Sequence, residues 1–213
     1  GNLFYITYPL DDGSARSITV ATTRPESMLG DTGVAVHPDD TRYRNFIGKN
    51  IKLPLTSRTI PIVSDDSIEM EFGTGALKVT PAHDPVDFDI GERNNLEIIT
   101  VIGFDGNMND AAGVYAGKDR FACREQIVGD LADLGLLEKT ESLNHSVGHC
   151  QRCSSVVEPL ISLQWFLKVG SHSDPDSIAG RAYAAVVNND ISIVPDRFSR
   201  VYLNWLENIR DWC

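Results

Sequence analysis

The sequence has no apolar run long enough to cross a membrane, and no secretory signal peptide opens it. From these two absences we expect a cytosolic protein without a membrane partner. Basic residues are scarce, because 19 Lys and Arg stand against 30 Asp and Glu and leave a formal net charge of −11. Phosphate contacts need concentrated Lys and Arg, so any nucleic acid must be held locally or mainly by another domain.

Cysteine is also rare, and the spacing of the four cysteines does not fit a disulfide framework. Only Cys150 and Cys153 form a motif, a CxxC knuckle that supplies half of a tetrahedral zinc site. His145 or His149 lies close enough in the chain to complete it, although four ligands from one short run would be cramped. Two interpretations stay open: a half site for structural zinc in a larger enzyme, and a knuckle of reduced thiols without metal.

The chain is otherwise that of an ordinary globular protein, with 213 residues of which 42% are hydrophobic. No internal repeat or low-complexity segment interrupts it. Many short strands with period-two alternation fill the first half, and the pattern changes near Leu143. We expect a mainly β region with helices over residues 1–143 and a return segment over residues 144–213, in a monomer.

The most informative stretch is Glu71–Leu96, in which a glycine turn leads into a strand and then an acidic helix start. Lys78 and Thr80 alternate with apolar neighbours, which places both side chains on one face of the strand. Asp84 is followed by proline and, three residues on, by Asp87, a pattern typical of a helix N-terminus.

Two interpretations fit this stretch. In the structural interpretation, Asp84 caps the helix, Asp87 at the third helical position accepts a hydrogen bond from the N-cap backbone, and His83 is a loop residue. In the functional one, Lys78, Thr80 and the two aspartates converge on a pocket rim. No nucleophile and base pair is evident, so such a set suits binding a polar substrate and orienting a water.

A second stretch, residues 22–26, allows the same two interpretations. Thr23, Arg24, Pro25 and Glu26 fit a capping box with proline near the helix start. Alternatively Thr22, Thr23 and Arg24 lie at a strand end, where two hydroxyls and a guanidinium bind a ribose, phosphate or carboxylate.

The tail predicts an amphipathic helix after residue 196, with large apolar side chains along one stripe. No helix-ending signal follows before Cys213. Together with the half knuckle, this leads us to expect a fragment of a larger protein.

Two runs carry a resemblance to a known family. ATTRPESMLGDTGVAVHP (21–38) and GTGALKVTPAHDPVDFDIGERNNL (73–96) resemble the signatures of the editing domain inserted in valyl-tRNA synthetases, which are class I enzymes. GNLFYITYPL resembles the family's entry into the insertion, HCQRCSSVVEPLISLQWF its exit, and NWLENIRDWC the stretch before the catalytic half resumes. The exit segments favour the valyl enzymes over their leucyl and isoleucyl relatives.

The resemblance implies a β-barrel ringed by helices that hydrolyses threonine from the 3′ end of tRNA(Val). It implies that Asp87 holds the substrate ammonium and that Asp84, Lys78 and Thr80 surround the scissile ester. Arg24 and Phe72 match positions that hold the terminal nucleotide. Four further residues complete the expected substrate-binding set: Thr22, Thr23, Ser27 and His83.

At Ser27 the family commonly has threonine, so a methyl group is lost from the expected pocket. The resemblance also implies that water is the nucleophile, that no cofactor or metal serves this site, and that the rest of an ATP-binding valine–tRNA ligase lies in cis. Two alternatives stay open: the editing domain of a leucyl or isoleucyl enzyme, and a docking insert that only positions the tRNA end.

Overall fold

A computed structural model describes all residues from Gly1 to Cys213. The chain forms two compact units, Gly1–Ile161 and Ser162–Cys213. The first unit contains all seven strands, which are β1 (Asn2–Pro9), β2 (Ser17–Thr22), β3 (Gly33–Val36), β4 (Asn50–Lys52), β5 (Thr59–Ser64), β6 (Ala76–Val79) and β7 (Leu137–Ser142). None of the helices in the structure combines the length and apolar character needed to cross a membrane.

The strands form two sheets, ordered β2-β1-β7 and β4-β5-β3-β6. In the first sheet Ile6 lies opposite Val20 in an antiparallel ladder, and both side chains are fully buried. In the second, Val34 of the wholly buried β3 lies opposite Ile62 on one side and Lys78 on the other. The apolar faces of both sheets contribute to one core, as their alternating sequences predict.

The expected closed barrel is not formed by these ladders, since both sheets are open. β2 of the first sheet lies beside β6 of the second, and an isolated bridge joins Leu10 to Ile51. The two sheets therefore share a core and contact each other at two places. The architecture is mixed α/β.

Helical segments cover the sheets of the first unit: a 3-10 helix (Pro25–Gly30), α1 (Pro85–Arg93), a second 3-10 helix (Asp110–Tyr115) and α2 (Arg120–Asp133). The buried residues of α2 include Ile127 and Leu131, which fall one turn apart. The second unit contains α3 (Ile178–Val187) and the predicted tail helix, α4 (Arg197–Glu207). Trp205 contacts Trp212 edge to face at 6.1 Å, while most of the apolar stripe of α4 is exposed.

The segment after residue 143 belongs partly to the first unit, which extends to Ile161. Ion pairs hold it there, because the Glu158 carboxylate pairs with Arg120 at 3.1 Å and with Arg24. Arg120 also donates a hydrogen bond to the Val156 carbonyl at 3.3 Å. The change of composition near Leu143 therefore precedes the boundary between the compact units.

A buried ion pair ties the first 3-10 helix to α2. Glu26 is fully buried, and both its oxygens accept from the Arg124 guanidinium at 2.6 and 2.7 Å. A buried carboxylate without its partner is strongly unfavourable, whereas removing both charges is much less so.

We predict that Arg124→Met lowers the free energy of unfolding by about 3 kcal/mol, because it leaves Glu26 without its bidentate partner. The double variant Glu26→Met, Arg124→Met should be more stable than Arg124→Met alone. Urea denaturation of the four proteins of this cycle measures the coupling, and strictly additive losses would contradict the assignment.

Candidate functional site

A cavity of about 340 Å³ opens between the two sheets and the start of α1. All ten residues that the sequence assigned to catalysis or substrate binding line it: Thr22, Thr23, Arg24, Ser27, Phe72, Lys78, Thr80, His83, Asp84 and Asp87. Five apolar residues complete the wall: Leu3, Ala21, Leu77, Val86 and Leu143. A pocket of this size, lined by nine polar and six apolar residues, is suited to a small polar organic ligand.

The turn between β6 and α1 positions both aspartates. Asp84 is the N-cap residue, and its carboxylate accepts from the backbone N–H of Val86 at 2.8 Å and of Asp87 at 3.3 Å. The predicted capping role of Asp84 is thereby confirmed. Asp87 does not answer the cap; its Oδ2 accepts from the backbone N–H of Thr80 at 2.8 Å. That part of the capping interpretation is wrong, because the tight turn after β6 brings Thr80 to the helix start.

Asp87 has an unusual electrostatic environment for a residue in the first turn of a helix. Its side chain is almost completely buried, and burial raises its pKa to about 6. The Lys78 charge and the Thr80 N–H lower this pKa, while Asp84 and Asp31 raise it. Desolvation outweighs the helix dipole here. Oδ2 is occupied by Thr80, and no hydrogen bond within the chain uses Oδ1.

The ammonium of Lys78 lies below the cavity in a buried polar network. It donates to Thr80 Oγ1 at 2.5 Å, to Ser27 Oγ at 3.0 Å and to Asp31 Oδ1 at 3.3 Å. The prediction that Lys78 and Thr80 share a face is confirmed. All three ammonium protons have partners, so Lys78 holds the floor of the cavity in place.

Sequence reasoning missed Asp31 and Tyr8. Asp31 is fully buried; its Oδ1 accepts from the Thr80 hydroxyl at 2.6 Å and its Oδ2 from the Tyr8 hydroxyl at 2.8 Å. A signal was present, because an inward lysine on a strand demands an anion. Asp31 lies two residues before the start of β3, the strand that pairs with the Lys78 strand.

Arg24 lies at another edge of the cavity. Its guanidinium donates to the His83 carbonyl at 2.8 Å, pairs with Glu158, and has Glu26 at 3.6 Å. The capping box predicted for Thr23 and Glu26 is wrong: Arg24 occupies the N-cap position without a side-chain cap, and Glu26 turns inward to Arg124. The alternative placement of the threonines and Arg24 at a strand end is what the structure has, since β2 ends at Thr22.

The remaining predicted residues, Phe72, Ser27 and His83, differ in exposure and in their hydrogen bonds. Phe72 is 61% exposed at the rim, where its ring face is accessible. The Ser27 hydroxyl donates to the Arg24 carbonyl at 3.0 Å. The His83 ring is buried, and its Nε2 accepts from the backbone N–H of Val101 at 2.9 Å and of Ile102 at 3.3 Å. Burial lowers the pKa of His83 to about 4, so the ring is neutral at pH 7. The ring holds the backbone at Val101 and Ile102 in place.

The Cys150 and Cys153 knuckle forms a tight turn in which the Ser154 N–H donates to the Cys150 carbonyl at 2.8 Å. Hydrogen bonds with Ser155 lower the pKa of Cys153 to about 7, which favours a thiolate, the form that binds metals. His149 Nδ1 lies 2.8 Å from the Ser154 carbonyl, and no group of three or more candidate ligands comes together. These residues therefore fit half of a zinc site, and zinc stays a prediction for a larger protein.

Comparison with known proteins gives consistent matches. A family model described as "Leucyl-tRNA synthetase, editing domain" matches residues 44–120. The chain is 55% identical over 213 residues to the valine–tRNA ligase of Carboxydothermus hydrogenoformans, and 52% identical over 213 residues to that of Bacillus subtilis strain 168. Each match covers 100% of the chain and 24% of the relative, so the chain spans about a quarter of the curated relatives' length.

Two solved structures share the fold. A ternary complex of Agrobacterium radiobacter K84 LeuRS with tRNA and LeuAMS has a TM-score of 0.55 at 19% identity, covering 74% of this chain and 24% of that one. The crystal structure of GlLeuRS-CP1 has a TM-score of 0.53 at 14% identity, and the match covers 68% of this chain and 100% of that one.

The raised pKa of Asp87 predicts a pH dependence of stability. Because the folded-state pKa of about 6 lies above the ordinary value of 3.8, this group stabilises the fold fully below about pH 4, and that contribution is lost as pH rises through 6. Asp87→Asn keeps an acceptor for the Thr80 N–H and removes the titration. The difference in unfolding free energy, wild type minus Asp87→Asn, should fall by about 2 kcal/mol between pH 4 and pH 7. Urea denaturation across this range measures it, and a difference independent of pH would refute the shift.

Proposed function

Since the chain belongs to the editing-domain (CP1) family of class I aminoacyl-tRNA synthetases, as a segment of valine–tRNA ligase, we propose that it hydrolyses threonyl-tRNA(Val). The reaction releases threonine from the 3′ end of the tRNA by attack of water on the ester. The tRNA and the remainder of the ligase in cis are the partners of this activity.

The discrimination of valine from threonine explains why such a site is needed. The two side chains are nearly isosteric, and a hydrophobic pocket cannot strongly reject an isostere that only adds a hydroxyl; the valyl enzyme is itself the standard example of this limit. A second site must therefore bind that hydroxyl and destroy the product. Its requirements are polar groups for the hydroxyl, an anion for the α-ammonium and contacts for the terminal adenosine.

The observation that carries the proposal is the Asp87 carboxylate in the cavity wall. Oδ2 is fixed by the Thr80 N–H, which leaves Oδ1 to receive an ammonium group. With a pKa of about 6 the carboxylate is mostly ionised at neutral pH. A charge-assisted hydrogen bond in a partly desolvated cavity is strong enough to select aminoacyl esters from uncharged tRNA ends.

The other side chains take complementary roles in this proposal. Phe72 offers an exposed ring face on which an adenine can stack, and Arg24 lies where the attached ribose or phosphate would pass. Thr22 and Thr23 supply hydroxyls in the same wall as the aspartates.

Water is the nucleophile in this proposal, because the cavity contains no side-chain nucleophile paired with a base. Lys78 is fully hydrogen-bonded and His83 is held by backbone amides, so neither is free to act as a general base. Positioning of the ester and of water supplies the catalysis, and the ribose hydroxyl beside the ester is the nearest group able to assist.

The competing enzyme assignment is an editing domain of leucyl-tRNA synthetase, which the description of the matching family model favours. A panel of tRNAs charged with threonine, norvaline or valine separates the two. Selective release of threonine from tRNA(Val) is expected, and preferential release of a purely aliphatic amino acid would overturn the valyl assignment.

We predict that Asp87→Asn lowers the rate of threonine release from threonyl-tRNA(Val) by about 100-fold or more, because the substrate ammonium loses its ionic partner. Glu92→Gln is the matched control, since Glu92 is an exposed carboxylate on the same helix outside the cavity. Single-turnover deacylation assays measure both. Near-wild-type release by Asp87→Asn, with the fold intact, would disprove the assigned role.

Binding of whole tRNA should depend only shallowly on salt, because the chain has a formal net charge of −11. Each neutralised phosphate on a single strand contributes about −0.7 to the slope of log K against log salt, so one or two contacts give about −1. Titrating tRNA(Val) into the isolated chain at several salt concentrations measures this slope. A value steeper than about −4 would reveal a phosphate-binding surface that the cavity does not explain.

A further inference from the structure

Asp31 is the most completely buried carboxylate below the cavity, and it does not line the cavity itself. Three donors converge on it: the hydroxyls of Tyr8 and Thr80 at 2.8 and 2.6 Å, and the ammonium of Lys78 at 3.3 Å. So many bonds to one buried carboxylate fix its orientation, and through it the orientation of the donors.

From Asp31 the network runs towards both ends of the cavity. In one direction Thr80 donates its backbone N–H to Asp87 Oδ2 at 2.8 Å. In the other, Lys78 donates to Ser27 at 3.0 Å, and Ser27 donates to the Arg24 carbonyl at 3.0 Å. Asp31 thus connects the group proposed to hold the ammonium with the group proposed to hold the nucleotide.

We propose that Asp31 is a positioning residue for the hydrolysis: it anchors Lys78 and Thr80 beneath the cavity and thereby sets the position of Asp87. This inference rests on the proposed function. Asp31 touches neither the substrate nor the water, and it acts entirely through Lys78 and Thr80.

The charges around Asp87 give this role a measurable consequence. The charged groups that face Asp87 are Lys78 from β6, Asp31 from the segment before β3, and Asp84 from its own helix start. Lys78 lowers the pKa of Asp87, whereas Asp84 and Asp31 raise it. Asp31 offsets part of the positive charge of Lys78, so the pKa of Asp87 is higher than it would be beside Lys78 alone.

The test measures kcat/KM for threonyl-tRNA(Val) as a function of pH. Two variants should move the acid limb of this pH profile in opposite directions. In the wild type this limb should lie near pH 6. Asp31→Asn leaves the Lys78 charge without its counter-ion, so the limb should move to lower pH by about half a unit to one unit. Lys78→Gln leaves Asp31 unopposed, and the limb should move to higher pH. The double variant removes both charges, and its limb should lie between the two.

Asp130→Asn is the matched control, because Asp130 accepts from a tyrosine hydroxyl at 2.6 Å in the same way but lies outside the cavity. It loses a partly buried bond of the same kind and should leave the acid limb in place, so the loss of a tyrosine–carboxylate bond is separated from positioning. If Asp31→Asn does not fold, the double variant is compared with Lys78→Gln: a lower limb in the double variant supports the inference, and the same limb in both would overturn it.

A second measurement is independent of activity. The pH dependence of the stability difference between each protein and its Asp87→Asn derivative reports the Asp87 midpoint directly. Absence of threonine release by the wild type would refute the proposed function while this midpoint still tests Asp31. An Asp87 midpoint and an acid limb that stay at the wild-type pH in Asp31→Asn would overturn the inference.

Discussion

The arrangement of the candidate site depends on burying one ammonium group. The Lys78 side chain is 7% exposed and that of Asp31 0% exposed, so both ions have left water. Desolvation of two such ions exceeds their attraction unless the geometry is good and further hydrogen bonds satisfy them. Here Ser27, Thr80 and Tyr8 provide those bonds, and each additional partner removes a degree of freedom from the cavity floor. The hydrogen bonds that offset the desolvation free energy of Lys78 and Asp31 therefore also hold in place the elements that carry the site.

That constraint explains why a turn, a strand end and a helix start meet where they do. β6 must deliver Lys78 inward, and its antiparallel partner β3 must begin just after Asp31 so that the carboxylate faces the ammonium. The first 3-10 helix then brings Ser27 over the same ammonium. Because Thr80 follows Lys78 by two residues, its hydroxyl is drawn into the same network and its N–H is left for Asp87.

Local patterns in the sequence were sufficient to predict the elements that carry the site but not the contacts between them. The Asp84 cap and the shared face of Lys78 and Thr80 follow from spacing alone, and both are confirmed. Segments without strong tertiary support were predicted less well. The sequence pattern of residues 41–46 predicts a short helix, where the structure has a series of turns. The pattern of residues 97–104 predicts a strand, of which the structure keeps only one bridge at Ile102.

The errors within the site have a common origin. Asp87 and Glu26 both matched the capping pattern, in which a carboxylate at the third helical position bonds back to the N-cap. Each bonds to a group distant in sequence instead, Asp87 to Thr80 and Glu26 to Arg124. A capping carboxylate gains only a modest amount at an exposed helix end, whereas a buried N–H or guanidinium without an acceptor costs more. Once tertiary packing buries those donors, the distant bond prevails over the local one.

Burial also reverses the expected electrostatics of Asp87, with a consequence for selectivity. A helix N-terminus favours the anion, yet desolvation is the larger effect and raises the pKa of Asp87 to about 6. A carboxylate that is costly to ionise in the empty cavity gains more from an incoming ammonium than an exposed carboxylate does, because the same low dielectric strengthens their attraction. In the proposed reaction, the burial of Asp87 that lowers stability above pH 6 is therefore also the property by which this carboxylate favours an aminoacyl ester over a bare nucleotide end.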